Sequence, residues 1–158
     1  MKKILLISIF ILISALSAQA NEIKRIFVGN ESAKISIIAF ESLTCSYCAK
    51  FHQDVYPLLK KEYLDTGLAK IEFRHFPLDI AAFNASKVAQ CKNDGNLEIL
   101  ESLYANQQKW VKGSSIEEAN INLQKFLSKE GFNIDFESCI NNKQIEDFVL
   151  NDRIDGAK

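Results

Sequence analysis

The chain of 158 residues has little proline and histidine and no excess of positive charge. Its two prolines and six glycines form no Pro/Gly-rich linker, and no repeat or low-complexity tract divides the sequence. A chain of this length without a linker corresponds to a single domain. The formal net charge of −1 argues against nucleic acid and against an anionic membrane surface as partners.

The first 20 residues match a secretory signal peptide. Met1-Lys2-Lys3 is a short positive region, residues 4–17 carry no charge, and Ala18-Gln19-Ala20 has the small-x-small pattern that signal peptidase recognises. The alternative is a membrane anchor, which needs about 20 apolar residues, and this run is shorter. We therefore expect cleavage before Asn21, a mature chain with net charge −3, and a periplasmic protein.

Hydrophobic periodicity predicts a strand–helix–strand unit followed by a run of helices. Three strands are predicted, at 23–28, 35–40 and 69–75, and the second is apolar enough to be covered on both faces. A helix begins near Cys45, is kinked by Pro57 and ends at Gly67. The later helices are predicted at 79–92, 95–107, 115–129 and 135–154.

The chemistry is concentrated in Cys45-Ser46-Tyr47-Cys48, which lies where a strand ends and a helix begins. The first N–H groups of a helix are unpaired and its dipole is positive there, so the Cys45 thiolate is favoured. Cys48, three residues on, lies on the same helix face within reach of a disulfide. We expect Cys45 to be the attacking residue and Cys48 the resolving one.

Two non-catalytic interpretations of the Cys-x-x-Cys are the alternatives. A metal site needs a second pair of ligands at short spacing, whereas Cys91 and Cys139 stand alone and the two histidines form no ligand pattern. A purely structural disulfide is the other alternative. We expect no metal and no cofactor.

The remaining cysteines are predicted to pair with each other. Cys91 and Cys139 both fall in predicted helices of an exported protein, where disulfides persist and free thiols are a liability. The alternative is two buried, unpaired thiols.

The stretch 35–91, ISIIAFESLTCSYCAKFHQDVYPLLKKEYLDTGLAKIEFRHFPLDIAAFNASKVAQC, resembles the bacterial DsbA family of periplasmic disulfide-bond oxidoreductases. The helical region that follows is similar to that family's helical insertion, including the stretch 104–110, YANQQKW. The resemblance implies that Cys45 accepts electrons from the thiols of exported proteins and that a quinone-linked membrane partner reoxidises the pair.

Three departures from the family pattern stand out. The family's buried acidic residue six positions before the first cysteine is Ala39 here, while Glu41 shares its strand parity and is a candidate proton acceptor for Cys48. The alternative for Glu41 is an exposed turn carboxylate. Ser46-Tyr47 replaces a Pro-His common in the family, which predicts a less oxidising couple. The family's cis-proline loop has no counterpart, because Pro57 and Pro77 lie elsewhere.

Other polar and aromatic residues are given structural roles. We expect His75 to be structural, His52 to be a partly exposed helix residue, and Trp110 to belong to a helical core with Leu100, Leu103 and Tyr104. Glu117, Glu118 and Lys125 are predicted to form a solvated helix face.

The sequence therefore predicts an α/β fold: a thioredoxin-like domain with a helical insertion, lacking the C-terminal strands and closing helix. Residues 21–78 would form the thioredoxin-like part and 79–158 the helical region. The expected function is thiol–disulfide exchange on exported proteins through Cys45 and Cys48. The alternatives are an inactive fragment and a thiol- or metal-binding module without turnover.

Overall fold

The computed structural model describes residues 22–158. The predicted signal peptide and the cleavage site before Asn21 lie outside these residues. Across the described part of the chain, no helix is both long enough and apolar enough to cross a bilayer.

Three strands form one mixed sheet in the order β1-β3-β2. Their bounds are β1 Ile26–Gly29, β2 Ile35–Glu41 and β3 Ala69–His75. β1 runs antiparallel to β3, and β2 runs parallel to it. Residues of β3 alternate between buried and half-buried because successive side chains point to opposite faces of the sheet, and Ile71 and Phe73 lie in the core.

The expectation that β2 is covered on both faces is wrong. β2 has a single neighbour among the described strands and therefore lies at the edge of the sheet. Ile35, Ile38 and Phe40 remain 54%, 47% and 37% exposed. The apolar composition of β2 did not reveal this exposure, because composition does not specify the position of a strand in its sheet or what packs against its faces.

The helices fall close to their predicted positions, with three subdivisions. Their bounds are α1 Ser46–Asp54, α2 Tyr56–Leu59, α3 Ile80–Gln90, α4 Glu98–Ala105, α5 Gln107–Trp110, α6 Ile116–Lys129, α7 Phe136–Ile140 and α8 Lys143–Gly156. A π-helical turn, Lys60–Leu64, follows α2.

Local chemistry explains where these helices break. The helix predicted from Cys45 divides at Val55, because Pro57 has no N–H to continue the ladder and instead occupies the first turn of α2. The last predicted helix divides at Asn141-Asn142, where the Asn142 side chain caps α8 by accepting from two backbone N–H groups. Ser115 caps α6 by accepting from the Glu118 N–H.

Two connections tie the helices to each other and to the sheet. Cys91, directly after α3, forms a disulfide with Cys139 of α7, with a Cα–Cα distance of 5.5 Å, so the predicted pairing is confirmed. Asp152 of α8 is completely buried, pairs with Arg25 beside β1 and accepts a hydrogen bond from the His75 N–H at 3.1 Å. The disulfide thus joins α3 to α7, and Asp152 ties α8 to the sheet.

Candidate active site

Cys45 lies at the carboxyl end of β2 and is the N-cap residue of α1. Its φ and ψ of −77° and 117° are extended, and the helix begins at the next residue, after a short turn that follows the end of β2 at Glu41. The Cys45 Sγ accepts a hydrogen bond from the Cys48 N–H at 3.4 Å. A thiol thus occupies the capping position usually filled by a hydroxyl or carboxylate, and both cysteines are reduced and half-buried.

The turn that presents Cys45 is fixed from two sides. The Thr44 hydroxyl donates to the Asp79 carboxylate at 2.7 Å, and Asp79 also caps α3. The Gln107 amide donates to the backbone oxygens of Leu43 and Cys45 at 2.8 and 3.0 Å. The helical region is therefore bonded directly to the reactive turn, while Tyr47, between the cysteines, is 83% exposed.

The two thiols have opposite electrostatic environments. Partial burial raises the pKa of Cys45, but hydrogen bonds from the Cys48 N–H, the Cys48 thiol and the Tyr47 N–H outweigh burial, so its pKa falls below the ordinary 9.0. Deeper burial raises the pKa of Cys48 to about 11, although the Ser42 N–H donates to its sulfur. The thiolate therefore forms first on Cys45, as a nucleophile at a helix start requires.

Glu41 is buried, and its interpretation as an exposed turn carboxylate is wrong. Its Oε2 lies 2.7 Å from His52 Nε2, which donates to it. His52, expected to be partly exposed, is 9% exposed. It was misjudged because its neighbours on α1 are solvated; its burial comes from Tyr104, whose ring stacks on it at 4.2 Å and 17°.

The charge of Glu41 reaches both cysteines. It contributes to raising the pKa of Cys48 and opposes the lowering of the pKa of Cys45. Burial, followed by the charges of Glu41 and Cys48, raises the pKa of the Tyr104 hydroxyl well above its usual value. Glu41, His52 and Tyr104 thus form a buried polar layer beneath Cys45 and Cys48.

Sequence reasoning missed three residues of this site: His52, Tyr104 and Gln107. A signal for His52 was available, because it follows Cys48 by four residues and therefore shares its helix face. No local signal links Tyr104 or Gln107 to Cys45, since both come from a helix pair about 60 residues away. The expectation that Trp110 belongs to the helical core is confirmed, because Trp110 is 1% exposed and its indole N–H donates to the Leu103 oxygen.

The other singled-out residues lie away from the cysteines. His75 is buried beside Gln90, and burial lowers its pKa, in keeping with the structural role expected of it. Glu117, Glu118 and Lys125 are exposed on α6. Within residues 22–158, no group of three or more His, Cys, Asp or Glu side chains is arranged to hold a metal ion.

This arrangement, a thiol pair at the junction of a parallel strand and a helix, matches a known family. A family model described as thioredoxin matches residues 21–157. The chain belongs to the thioredoxin family. For this thioredoxin-family chain, the predicted α/β fold with added helices is confirmed.

Solved structures confirm the DsbA resemblance. The crystal structure of Wolbachia pipientis alpha-DsbA1 is 31% identical, has a TM-score of 0.72, and is matched over 82% of this chain and 66% of its own. Chlamydia trachomatis DsbA has a TM-score of 0.66 at 23% identity, over 84% of this chain and 72% of its own, and shows the likeness of fold.

Relatives with assigned names point the same way. A Rickettsia conorii protein provisionally named as a protein-disulfide oxidoreductase is 28% identical over 127 residues, which is 78% of this chain and 44% of that protein. The disulfide bond formation protein D of Bacillus subtilis is 25% identical, over 53% of this chain and 42% of that protein. The thioredoxin-family chain thus spans less than half the length of these two relatives.

Proposed function

We propose that this chain is a thiol:disulfide oxidoreductase whose reacting residues are Cys45 and Cys48. The observation that carries the proposal is the Cys45 sulfur at the N-cap of α1, 3.4 Å from the Cys48 N–H that donates to it. That bond stabilises a thiolate on Cys45, which makes Cys45 both a good nucleophile and a good leaving group. The protein-disulfide oxidoreductase named among the relatives adds support.

In the oxidising direction the enzyme starts with a Cys45–Cys48 disulfide. A substrate thiolate attacks the Cys45 sulfur, the Cys45–Cys48 bond breaks, and Cys48 leaves and takes up a proton. A second thiolate of the substrate then attacks the substrate sulfur that is bonded to Cys45. A disulfide forms within the substrate, and Cys45 leaves as a thiolate. The substrate loses two electrons, and the cysteine pair gains them.

In the reducing direction, in which Cys48 attacks a mixed disulfide on Cys45, Glu41 is the proton acceptor for Cys48. Cys48 must lose a proton whenever it attacks the mixed disulfide, and its raised pKa makes that loss unfavourable without a base. Glu41 is buried one residue from Ser42, whose N–H donates to the Cys48 sulfur. His52 holds the carboxylate in place from the other side.

The substrates we propose are thiols of exported proteins, and the proposed site of action is the periplasm. This rests on the signal-peptide pattern of residues 1–20. A quinone-linked membrane partner would return the cysteine pair to its disulfide. Intact-mass analysis of exported protein checks the first step, since cleavage before Asn21 removes 20 residues; retention of residues 4–17 in a membrane fraction would contradict it.

The test of the activity compares three chains: the unchanged one, Cys45→Ser and Cys48→Ser. We expect the oxidised unchanged chain to introduce disulfides into a reduced model protein, and Cys45→Ser to be inactive. Cys48→Ser should accumulate a mixed disulfide on Cys45 that non-reducing electrophoresis detects, because the resolving thiol is missing. Full activity of Cys45→Ser would refute the assignment, and Cys91→Ala/Cys139→Ala serves as a control that removes sulfurs away from the site.

A further inference from the structure

A groove of about 840 Å³ begins beside the reactive cysteine, and the reaction described above does not use it. One wall is formed by α1, α2 and Lys60, and the other by α4 and α5. Ser46, which follows Cys45, lies at its edge, and Gln107, which bonds to the Cys45 oxygen, lies opposite. The volume lies within the usual range for ligand sites.

The charged side chains of this groove are predominantly positive. Lys50, Lys60 and Lys109 line it, against the single carboxylate of Glu101. No ion pair to Lys109 occurs in the described part of the chain. Lys50 and Lys60 each pair with an aspartate outside the lining, but such exposed pairs are weak and readily exchanged. We name this surface, defined by the three lysines, the lysine groove.

The wall also has polar groups with unmet hydrogen bonds. Tyr56 Oη and His52 Nδ1 belong to side chains that line the groove, are buried, and have no hydrogen-bond partner among residues 22–158. Burial, followed by the charge of Glu101, raises the pKa of Tyr56, so its hydroxyl keeps its proton and can donate. These two atoms have almost no exposed surface and do not themselves contact an occupant, so the polar contacts that the groove offers come from its lysines and amides.

The length of the groove suits an extended peptide. Ser46 and Lys60 are 14 positions apart in chain that is mostly helical, which corresponds to about 20 Å at 1.5 Å per residue. An extended polypeptide covers that distance with about six residues. The amides of Gln53, Asn106 and Gln108, which also line the groove, can exchange hydrogen bonds with a peptide backbone.

We propose that the lysine groove binds the segment of the substrate polypeptide that flanks its reacting cysteine, and that it selects acidic side chains in that segment. This inference rests on the proposed function, since it names the substrates of the same site. Lys50, Lys60 and Lys109 are the specificity-determining residues. They act on binding and on the rate of encounter, and the sulfur exchange itself remains with Cys45 and Cys48.

The experiment uses two sets of six-residue peptides that differ only in having Glu or Gln at the positions beside a central cysteine. In the first set serine replaces the cysteine, so that fluorescence anisotropy measures binding without reaction. In the second set the cysteine is present, and stopped flow measures the rate at which the peptide opens the Cys45–Cys48 disulfide. Both are measured with the unchanged chain, with Lys50→Gln/Lys109→Gln, and with Lys125→Gln, an exposed control on α6.

We expect the Glu peptide to bind and react about tenfold better than the Gln peptide at low ionic strength, with the preference decreasing as salt is added. Lys50→Gln/Lys109→Gln should abolish the preference for the Glu peptide, while Lys125→Gln preserves it. Circular dichroism confirms that each variant is folded. Equal binding of the two serine peptides to the unchanged chain, or an undiminished preference in Lys50→Gln/Lys109→Gln, would overturn the groove assignment.

Two further outcomes distinguish this inference from neighbouring ones. If dithiothreitol cannot reduce the Cys45–Cys48 disulfide, the proposed function fails, whereas the serine peptides still report on the groove alone. If oxidised glutathione shows the lysine-dependent rate and the peptides do not, the groove takes a small disulfide and the peptide assignment is wrong.

Discussion

At the scale of single residues, the site depends on the difference between two thiols that lie three positions apart. Cys45 is a helix N-cap that accepts hydrogen bonds, and Cys48 packs against the hydrophobic core. The same helix start therefore lowers one pKa and leaves the other raised. The order of reaction that we propose follows from this asymmetry, because only the thiolate is the nucleophile.

Alkylation of the reduced chain at pH 7 should modify Cys45 first. With its pKa at about 11, Cys48 is a thiolate in about one molecule in 10,000 at pH 7, whereas a thiol with a pKa below 9.0 exceeds about one in 100. We expect Cys45 to react at least about tenfold faster with iodoacetamide, because the weaker nucleophilicity of a thiolate of lower pKa offsets part of the difference in thiolate fraction. Peptide mapping by mass spectrometry identifies the labelled residue, and equal labelling of the two would contradict the assignment.

Replacing Glu41 by Gln should make Cys48 easier to deprotonate. Burial is the larger cause of the raised pKa of Cys48, and the Glu41 carboxylate adds to it, so removal of that charge moves the midpoint of Cys48 alkylation to lower pH. The amide oxygen can still accept from His52, so the packing is retained. The pH midpoint of Cys48 alkylation is compared between Cys45→Ser and Cys45→Ser/Glu41→Gln. Glu130→Gln, at the exposed end of α6, is the control and is made in the same Cys45→Ser background. A midpoint that rises or stays fixed would show that the Glu41 carboxylate does not raise the pKa of Cys48.

At the scale of elements, short local signals determined the helix ends, and distant contacts determined which helices lie together. Asp79, Ser115 and Asn142 each cap the helix that follows them. Pro57 begins a new helix instead of continuing the old one. The disulfide, in contrast, joins the end of α3 to α7 across 48 positions, and spacing alone left it as one of two possibilities.

Removal of this disulfide should lower the free energy of unfolding without abolishing the reactivity of Cys45. Closing a loop of this length is worth about 2–4 kcal/mol, so the free energy of unfolding of Cys91→Ala/Cys139→Ala should be lower by that amount, and its unfolding midpoint should lie at a lower denaturant concentration. Equilibrium unfolding of the oxidised chains measures the difference. Retained alkylation of Cys45 in the variant is the control, and an unchanged midpoint would show that the bridge adds no stability.

At the scale of the whole molecule, the sheet leaves one long edge uncovered. β2 pairs on one side with β3, and its other edge has no strand beside it among residues 22–158. Ile35, Ile38 and Phe40 are exposed on that strand. A flat edge with apolar side chains is a template for pairing with another chain.

We expect the chain to self-associate with rising concentration and Ile38→Lys to reduce that association. Ile38 lies opposite Glu72 in the register of β2 and β3, so a lysine there gains an oppositely charged neighbour and the strand is retained. Sedimentation velocity measures association across a concentration series. The matched control is Ile121→Lys, an isoleucine of similar exposure on α6; equal effects of the two substitutions would show that the edge is not the contact.

The sequence by itself determined the strand and helix segments, the cap residues and the position of Cys45 at a helix start. Each of these follows from interactions within a few residues, and periodicity and local hydrogen bonds report such interactions directly. The sequence also carried the family resemblance that the structural neighbours confirm.

Only the tertiary structure decided that β2 is an edge strand, that Glu41 and His52 are buried together beneath the cysteines, and that Gln107 bonds to the Cys45 turn. It alone brought Lys109 opposite Lys50 across a groove. The physical reason is that burial and charge environment are set by what packs against a residue. For this site, that is a helix pair about 60 positions away in the chain.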